Sequence, residues 1–337
     1  MKDVSGARLP LSPPAPSRRH TIAAWILGVL ALGGLIGVVL HIGELERFAE
    51  LAHQARVEWL IPAVAAQGLT YVVVALAWRA TLIRAGHPRS LRSLIPLGLA
   101  KLFTDQALPS GGLSGSVFVT FALERCAVPA HTAVGVLIVG LVSFNLAYAL
   151  AVVSSVLLLR FHDRSEPALL AVVTAFSFFA LGLPVAILCL KRWARGALAQ
   201  WIGRLHLPTI LFEAISKAPI GLLKSPSLMV QTFACQVALF LLDAATLWFA
   251  FQAIAVDCPF WIAFVAFVMA SVAATVTPIP LGVGTFEAAA VTLLGLLGIP
   301  LEAALTAILL LRGLTFWLPM LPGLWLARRA MHRRGPA

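Results

Sequence analysis

The stretch that decides the fold is "TPIPLGVGTFEAAAVTLLGLLGIP", residues 277–300. It places prolines, glycines and one carboxylate, Glu287, inside sequence that is otherwise apolar. Proline removes a backbone donor and glycine permits positive φ, so a helix is expected to break near Pro278–Gly284 and to restart before Glu287. In a membrane, the backbone groups freed by such a break must be shielded by protein or must line a wet cavity. The stretch therefore predicts a broken helix beside a polar cavity, although a tight turn between packed helices remains an alternative.

The composition of the whole chain indicates a membrane protein. Of its 337 residues, 60% are hydrophobic and 12% are charged, whereas about a quarter of the residues of a soluble domain are charged. The net charge is +11, but the basic residues lie between apolar runs, where orientation in a membrane explains them better than nucleic acid does. We therefore expect membrane lipids as partners and no nucleic acid, and the sequence leaves the oligomeric state open.

The chain lacks the usual sequence signatures of enzymes and of metal or cofactor sites. Its four cysteines are isolated, with no CxxC pair and no Cys/His cluster, so no metal, no other cofactor and no disulfide framework is expected. There is no G-x-S-x-G, Walker, HExxH or dinucleotide-binding motif. We expect a protein that is not an enzyme and has no catalytic residue. A membrane-embedded enzyme with Glu287 as its base stays open as a third interpretation.

The apolar runs predict an all-α integral membrane fold. A helix needs about 20 apolar residues to cross the bilayer. Two regions, 93–124 and 259–299, are apolar but are interrupted at "ALPSGGLSG" and "TPIPLGVG". We expect six transmembrane helices plus two Gly/Pro-broken (re-entrant) helix pairs, and two full crossings at each broken region fit equally well. The six long apolar runs are 21–43, 57–80, 131–159, 167–190, 226–253 and 301–327.

The charges between the spans predict the topology, because Lys and Arg concentrate on the cytoplasmic side. Segments 79–92 and 191–224 are basic, whereas 44–58 is acidic on balance. These signs place both termini in the cytoplasm and the protein in the cytoplasmic (inner) membrane. The first broken region then opens to the cytoplasm, and the second opens to the outside.

The segments outside the spans are expected to be short and cytoplasmic. Residues 1–20 are polar and proline-rich and read as a disordered cytoplasmic tail, and 328–337 as a basic cytoplasmic tail. The linker 191–225 carries tryptophans among basic residues, which favours an amphipathic helix on the anionic leaflet.

The two broken regions resemble each other at an offset of 171 residues. Pro109 then falls on Pro280, and the downstream Val128–Pro129 falls on Ile299–Pro300. The polytopic domain 21–327 therefore divides into half-repeats of about 57–160 and 226–327. Because the two regions are predicted to open to opposite sides, we expect an inverted repeat, the usual construction of transporters with a site near the midplane.

Ionisable residues at membrane depth are the first candidates for that site, since they are costly unless they face a cavity or a partner. Glu287 and Arg312, of opposite sign, are expected to pair; the pair can serve structure, substrate or both. Asp105 precedes the first break, and Asp243 interrupts a span, where a local hydrogen bond and a substrate contact are equally compatible with the sequence. Asn145 is expected to form a helix–helix hydrogen bond.

The half-helix starts supply the other candidates, since their free N–H groups and positive dipole ends suit anionic groups. The predicted substrate-binding residues are Glu287, Arg312, Gly282, Gly284, Pro280, Gly111, Gly112, Ser114, Asp105 and Asp243.

Four stretches of the chain together resemble the lysylphosphatidylglycerol synthase transmembrane-region family, also called flippase-like or the UPF0104 group, without the soluble synthase domain. They are "LPSGGLSG", "LERCAVPAHTA", "PIPLGVGTFE" and "LGIPLEAALTAILLLRGLTFWLPMLPG". The resemblance covers about residues 21–327. The family's second motif falls on Pro278, Pro280, Leu281, Gly282, Gly284 and Glu287, its intramembrane arginine on Arg312, and its first motif on Pro109, Gly111 and Gly112. Leu281 stands where the family has a glycine, and Ser116 to Val119 stand where many members carry Asp and Arg.

The resemblance implies a polytopic domain that moves lipids with modified headgroups. We therefore expect a flippase-like protein that translocates a lipid or lipid-linked substrate with a polar headgroup across the cytoplasmic membrane. The alternative is a non-transporting membrane subunit that scaffolds a lipid-, hopanoid- or glycan-modifying enzyme as its partner. The sequence names neither the lipid nor the energy source.

Overall fold

The computed structural model describes residues 56–107, 113–162, 220–277, 282, 284–319 and 322–326. Regular structure within these ranges is helical, and no strand occurs in them. A π-helical turn, Gly313–Trp317, continues the last of the helices. In chain order the helices are α1 Val57–Arg84, α2 Leu91–Ala107, α3 Leu113–Arg125, α4 Ala130–Phe161, α5 Ile220–Leu223, α6 Pro226–Ala253, α7 Phe260–Val276, α8 Thr285–Leu296 and α9 Leu301–Arg312.

Three of the helices, α1, α4 and α6, are long and apolar enough to cross a membrane. They coincide with the predicted spans 57–80, 131–159 and 226–253 and extend two of them by a few residues. The predicted spans 21–43 and 167–190 lie outside the described residues. So do both predicted tails and most of the predicted linker 191–225.

The predicted last span, 301–327, is not one regular α-helix. Helix α9 ends at Arg312, and the Leu318 N–H bonds to the Gly313 carbonyl across the π-helical turn. Pro319 explains the change, because its ring clashes with the carbonyl four residues earlier and it has no N–H to donate. A π-turn widens the helix and relieves that clash. Helical structure resumes over 318–319 and 322–326.

The two predicted breaks each separate a pair of short helices. Helices α2 and α3 have 17 and 13 residues, and α7 and α8 have 17 and 12. All four are shorter than the roughly 20 residues that cross a bilayer. Helix α8 runs back along α7, since Gly282 lies against Ala274 while the Phe286 and Phe267 rings lie 5.9 Å apart. We call α2–α3 the first hairpin and α7–α8 the second hairpin.

The order of elements in the first half of the described chain recurs in the second half. A long helix, the two short helices of a hairpin and a further helix begin at residues 57, 91, 113 and 130, in that order. The same four elements begin again at 226, 260, 285 and 301. The turns that follow the hairpins also correspond. Ala127 and Gly298 have φ values of 58° and 91°, and the next N–H groups, of Val128 and Ile299, bond the carbonyls of Leu123 and Leu294 at 3.1 and 3.0 Å.

Helices α1 and α6, the first elements of these two series, pack antiparallel. The Arg56 N–H donates to the Ala253 carbonyl at 2.7 Å, and Trp59 lies 6.2 Å from Trp248 between ring centroids. At the other end, Ala80 packs near Leu228. The pair forms the centre of the described structure, and each hairpin contributes to a separate core beside it: the first hairpin with α1 and the start of α4, the second with α6, α9 and the end of α4.

Candidate functional site

The second break is built on two glycines with left-handed backbone. Gly282 and Gly284 have φ values of +61° and +83°, a region that L side chains rarely adopt. A Cβ added at Gly282 would lie 2.3 Å from the Ala274 Cβ. Glycine at 282 therefore allows both the turn and the close approach of the loop to α7. Gly284 is the N-cap residue of α8.

Glu287, in the first turn of α8, has two different partners for its two carboxylate oxygens. Oε2 accepts the Gly284 N–H at 2.7 Å, and Oε1 accepts Arg312 Nε–H at 2.6 Å. The first bond is one half of a capping box; the other half is not formed because Gly284 has no side chain. The Glu287 side chain is only 5% exposed. Glu287 thus stabilises the start of α8 and joins the hairpin to α9, forming the ion pair that the sequence predicts.

Arg312, the last residue of α9, is held on three sides. Its guanidinium carbon lies 4.3 Å from the centre of the Phe286 ring and 5.9 Å from that of Phe316, and Nε bonds Glu287. The Arg312 Nη2 atom is buried and has no hydrogen-bond partner among the described residues. The side chain is 16% exposed. Since guanidinium cannot lose its charge in a protein, the site keeps a fixed cation with an unused donor.

Removal of either member of the buried pair is expected to destabilise the fold. A buried carboxylate or guanidinium left alone commonly costs about 3–5 kcal/mol, whereas removal of both can be nearly neutral. Glu287 and Arg312 are therefore expected to depend on each other for stability, whatever else they do.

The first break carries a second carboxylate that is arranged differently. Asp105, near the end of α2, accepts the Gly115 N–H at 2.8 Å through Oδ1 and Lys101 Nζ at 2.5 Å through Oδ2. A Cβ at Gly115 would lie 2.4 Å from Asp105 Oδ1, so the contact needs glycine there. The side chains of Lys101 and Asp105 are 29% and 16% exposed. We call this set the Asp105 clasp.

The structure brings Glu287, Arg312, Gly282 and Gly284 together at the second break, whereas Asp105 has its partners at the first break. Pro280, Gly111 and Gly112 lie outside the described residues, and Ser114 is described only as backbone within α3. Asp243 is partly buried in the middle of α6. Their assignment to a substrate site stays a prediction.

The expectation for Asn145 was wrong. Its Nδ2 donates to the Leu141 carbonyl one turn earlier in the same helix, at 2.8 Å, and the residue is half-buried. A short amide side chain easily reaches the backbone of its own helix.

Three contributors to the two breaks were not predicted: Lys101, Gly115 and Phe286. The Lys101–Asp105 spacing of four residues is the usual helical ion-pair spacing and could have signalled the first. The Gly115 contact and the Phe286–Arg312 stacking depend on how the chain returns after each break, which local sequence does not specify. Among the described residues, no group of three or more His, Cys, Asp or Glu side chains is placed to hold a metal ion.

The chain is similar to a known family of membrane domains. The model of the family described as "Lysylphosphatidylglycerol synthase TM region" matches residues 25–323, most of the chain. No curated protein matches the chain. The match includes both hairpins, α1, α4, α6 and the Glu287–Arg312 pair. The chain therefore belongs to the family defined by the lysylphosphatidylglycerol synthase transmembrane region.

Proposed function

We propose that the protein translocates a lipid or lipid-linked substrate with a polar headgroup across the cytoplasmic membrane. One observation carries the proposal: Arg312 keeps a buried Nη2 donor that no described part of the chain satisfies, next to a helix start that the broken backbone creates. An intramembrane cation that is held in place and still has a free donor suits an anionic oxygen such as that of a headgroup phosphate. The family assignment supports a membrane domain connected with lipids.

The position of this donor suits a headgroup that crosses the bilayer. Arg312 is the twelfth residue of α9, which puts it about 17 Å along the helix at 1.5 Å per residue. The bilayer core is about 30 Å thick, so an α9 that starts at the membrane surface would carry the guanidinium near the middle of the core. The first turn of α8 adds the positive end of a helix dipole beside the same residue. A headgroup at this depth replaces its hydrogen bonds to water with hydrogen bonds from Arg312 and from backbone N–H groups at the start of α8.

We infer that the two halves form an inverted repeat whose hairpins are re-entrant. The recurrence of element lengths and turns supports a repeat, and the antiparallel packing of α1 on α6, its counterpart, supports inversion. The shortness of the four hairpin helices supports re-entry. An inverted pair of hairpins presents one break toward each side, which is the geometry of alternating access around a central site.

The residues at the two ends of the helices support an assignment of the sidedness. Aromatic rings that mark a membrane interface gather at one end, where Trp59 meets Trp248 and His162 stacks on Trp261 at 4.0 Å. The opposite end carries Arg84 and Arg89. We assign the basic end to the cytoplasm, together with both termini.

Cysteine labelling in cells tests that assignment. In a variant that keeps only Cys126, which is exposed and whose carbonyl accepts Arg89 Nη2, labelling is expected only after permeabilisation. In a cysteine-free background, Asp257→Cys is expected to label in intact cells. Burial raises the pKa of the native Cys258 thiol to about 12, so that thiol stays protonated and unreactive at neutral pH. Labelling of Cys126 in intact cells would reverse the orientation.

Lipid movement in vesicles tests the function. The purified chain is placed in vesicles of phosphatidylethanolamine and phosphatidylglycerol with trace tail-labelled versions of each, and exchange between leaflets is followed by quenching of the outer leaflet. The wild type is expected to move at least one of the labelled lipids, and Arg312→Lys to move it about tenfold more slowly, because lysine loses the planar fork. Arg160→Gln, at the exposed end of α4, is the matched control.

Two other outcomes would replace the proposal. Absence of lipid movement, together with co-purification of a lipid- or glycan-modifying enzyme, favours the scaffold alternative. A change in the mass of the lipid favours a membrane-embedded enzyme with Glu287 as its base.

A further inference from the structure

A second set of polar side chains lies at membrane depth between α1 and α6. The antiparallel register, with Arg56 opposite Ala253, sets Asp243 of α6 level with Gln67 of α1. Each lies ten residues from the nearer end of its helix, from 243 to 253 and from 57 to 67, which is about 15 Å. Tyr71 follows Gln67 by four residues and so shares its helix face.

These three side chains have unused hydrogen-bonding capacity. Gln67 is 8% exposed; its Nε2 donates to Thr70 Oγ1 at 3.3 Å, but its Oε1 is buried and finds no partner in the described ranges. The Tyr71 hydroxyl is also buried, faces Gln67 and is within electrostatic reach of Asp243, yet completes no hydrogen bond of normal geometry. Within the described part of the chain, Asp243 makes no hydrogen bond or ion pair. Buried polar groups are nearly always paired, so two unsatisfied buried oxygens, on Gln67 and Tyr71, near the partly buried and unpaired Asp243 point to a ligand.

The atoms available select a small monovalent cation. The Asp243 carboxylate and Gln67 Oε1 are acceptors only, and the Tyr71 hydroxyl can accept. An anion has little to bind there. A divalent cation prefers several carboxylates and six or more oxygens, whereas the set has a single negative charge. A proton on Asp243, or Na⁺ held by carboxylate, carbonyl and hydroxyl oxygens, matches both the charge and the donor atoms.

No fixed countercharge competes for Asp243 from the described helices that pack on α6. Helix α7 contains no titratable side chain, and Arg312 of α9 is already bonded to Glu287. Tyr71 is the titratable group on α1 that lies within electrostatic reach of Asp243. Cys235 of α6 lies about two turns before Asp243, and Tyr148 of α4 stacks on Phe240 with its hydroxyl near Thr275. The remaining charged or titratable side chains on α1, α4, α9 and the start of α6 lie toward helix ends: Glu58, Arg79, Arg84, His131, Arg160, Lys224 and Glu302.

We propose that Asp243, Gln67 and Tyr71 bind a small monovalent cation, a proton or Na⁺, whose passage drives translocation of the lipid. The coupling rests on the proposed function, but the binding does not. Intramembrane carboxylates relay protons in pumps and transporters, and coupling ions bind near the midplane between repeats. Because α1 and α6 are the first helices of the two halves, a cation between them is placed to bias one half against the other.

Binding is tested on the purified full chain in detergent, without lipid movement. Infrared difference spectra across pH report protonation of a buried carboxyl, and the thermal midpoint in NaCl against choline chloride reports Na⁺. One of the two signals is expected in the wild type and in Asp257→Asn, an exposed matched control, and is expected to be absent in Asp243→Asn. A wild type that gives neither signal, or an Asp243→Asn variant that gives the wild-type signal, overturns the site.

If Asp243→Asn does not fold, two tyrosine variants that each remove one hydroxyl group test the cation site instead. The chain has two tyrosines, Tyr71 and Tyr148. Tyr71→Phe is expected to weaken Na⁺ binding, or to shift the carboxyl titration, by a factor of about three or more, which corresponds to one lost neutral hydrogen bond or ligand. Tyr148→Phe, whose hydroxyl lies 3.5 Å from Thr275, is expected to leave it unchanged. Equal behaviour of the two variants overturns the assignment.

Coupling is tested in the same vesicles with an imposed Na⁺ or pH gradient. The gradient of the bound cation is expected to speed leaflet exchange of the labelled lipid about tenfold in the wild type, and to have no effect in Asp243→Asn. Cation binding in detergent without any lipid movement by the wild type means that the site stands and the proposed function fails. Lipid movement that ignores both gradients means that the coupling proposal fails while the proposed function stands.

Discussion

The first and second hairpins use the same two contacts in different arrangements. In each, one carboxylate oxygen accepts a glycine N–H at the start of the second short helix, and the other oxygen meets a cation. Asp105 reaches across its hairpin to Gly115, and its cation lies one turn away on its own helix. Glu287 caps its own helix, and its cation, Arg312, comes from the next helix.

The two sets of contacts differ in what they join: one lies within a single hairpin, and the other connects a hairpin to the next helix. The Asp105 clasp joins the two short helices of one hairpin and is partly exposed, at 29% and 16% for its two charged side chains. The Glu287–Arg312 pair joins the hairpin to α9 and is 5% and 16% exposed. Movement of the second hairpin must therefore change the environment of Arg312, whereas the first hairpin can move as a unit with its clasp intact.

The largest effect of a single methyl group is expected in the second hairpin. Gly282→Ala forces a left-handed backbone onto alanine and drives its Cβ onto the Cβ and backbone of Ala274. We expect a loss of about 2–4 kcal/mol in the free energy of unfolding, from the backbone and packing penalties together. Thermal and denaturant unfolding in detergent measure it.

Gly295→Ala in α8, where an added Cβ meets nothing within 4 Å, is the control and is expected to change stability by less than about 1 kcal/mol. Equal stability of the two variants would show that the Gly282 turn is not constrained as described.

The same change in the first hairpin is expected to cost less. In Gly115→Ala the new Cβ meets the end of the Asp105 side chain, which can rotate away at the cost of its hydrogen bond, about 1–2 kcal/mol. In an Asp105→Ala background, the further change Gly115→Ala is expected to be nearly neutral. If Gly115→Ala costs as much with Asp105 absent, the clasp is not what requires glycine.

The smallest effect is expected from the cation of the clasp. Lys101→Met should lower the free energy of unfolding by at most about 1 kcal/mol, since exposed helical ion pairs contribute little. Arg312→Met, the corresponding change in the buried pair, should lower it by about 3–5 kcal/mol. Similar losses from both variants would remove the distinction between the two hairpins.

The parts of this structure that depend on local patterning could be predicted from sequence. Uniform apolarity predicted α1, α4 and α6, and the prolines and glycines at 278–284 predicted the restart of the helix before Glu287. Opposite charge at membrane depth predicted the pairing of Glu287 with Arg312, because neither residue is stable alone in lipid.

The parts that depend on the return path of the chain could not be predicted in this way. In the sequence, the π-turn before Pro319 cannot be distinguished from a continuous helix. The hydropathy pattern does not show the effect of the backbone N–H that Pro319 lacks. The contact of Asp105 with Gly115 requires the angle at which α3 leaves the break. Gln67 and Tyr71 become notable only when the register of α1 on α6 sets them beside Asp243.

A double-mutant cycle at Glu287 and Arg312 tests the central claim most directly, that this pair both holds the second hairpin and handles a headgroup. Glu287→Gln and Arg312→Gln are each expected to cost about 3–5 kcal/mol, and the double variant to recover most of that stability while moving no labelled lipid in vesicles. Two results would contradict the account: coupling below ~0.5 kcal/mol, which would mean that the two side chains do not act together, or wild-type lipid movement by the double variant.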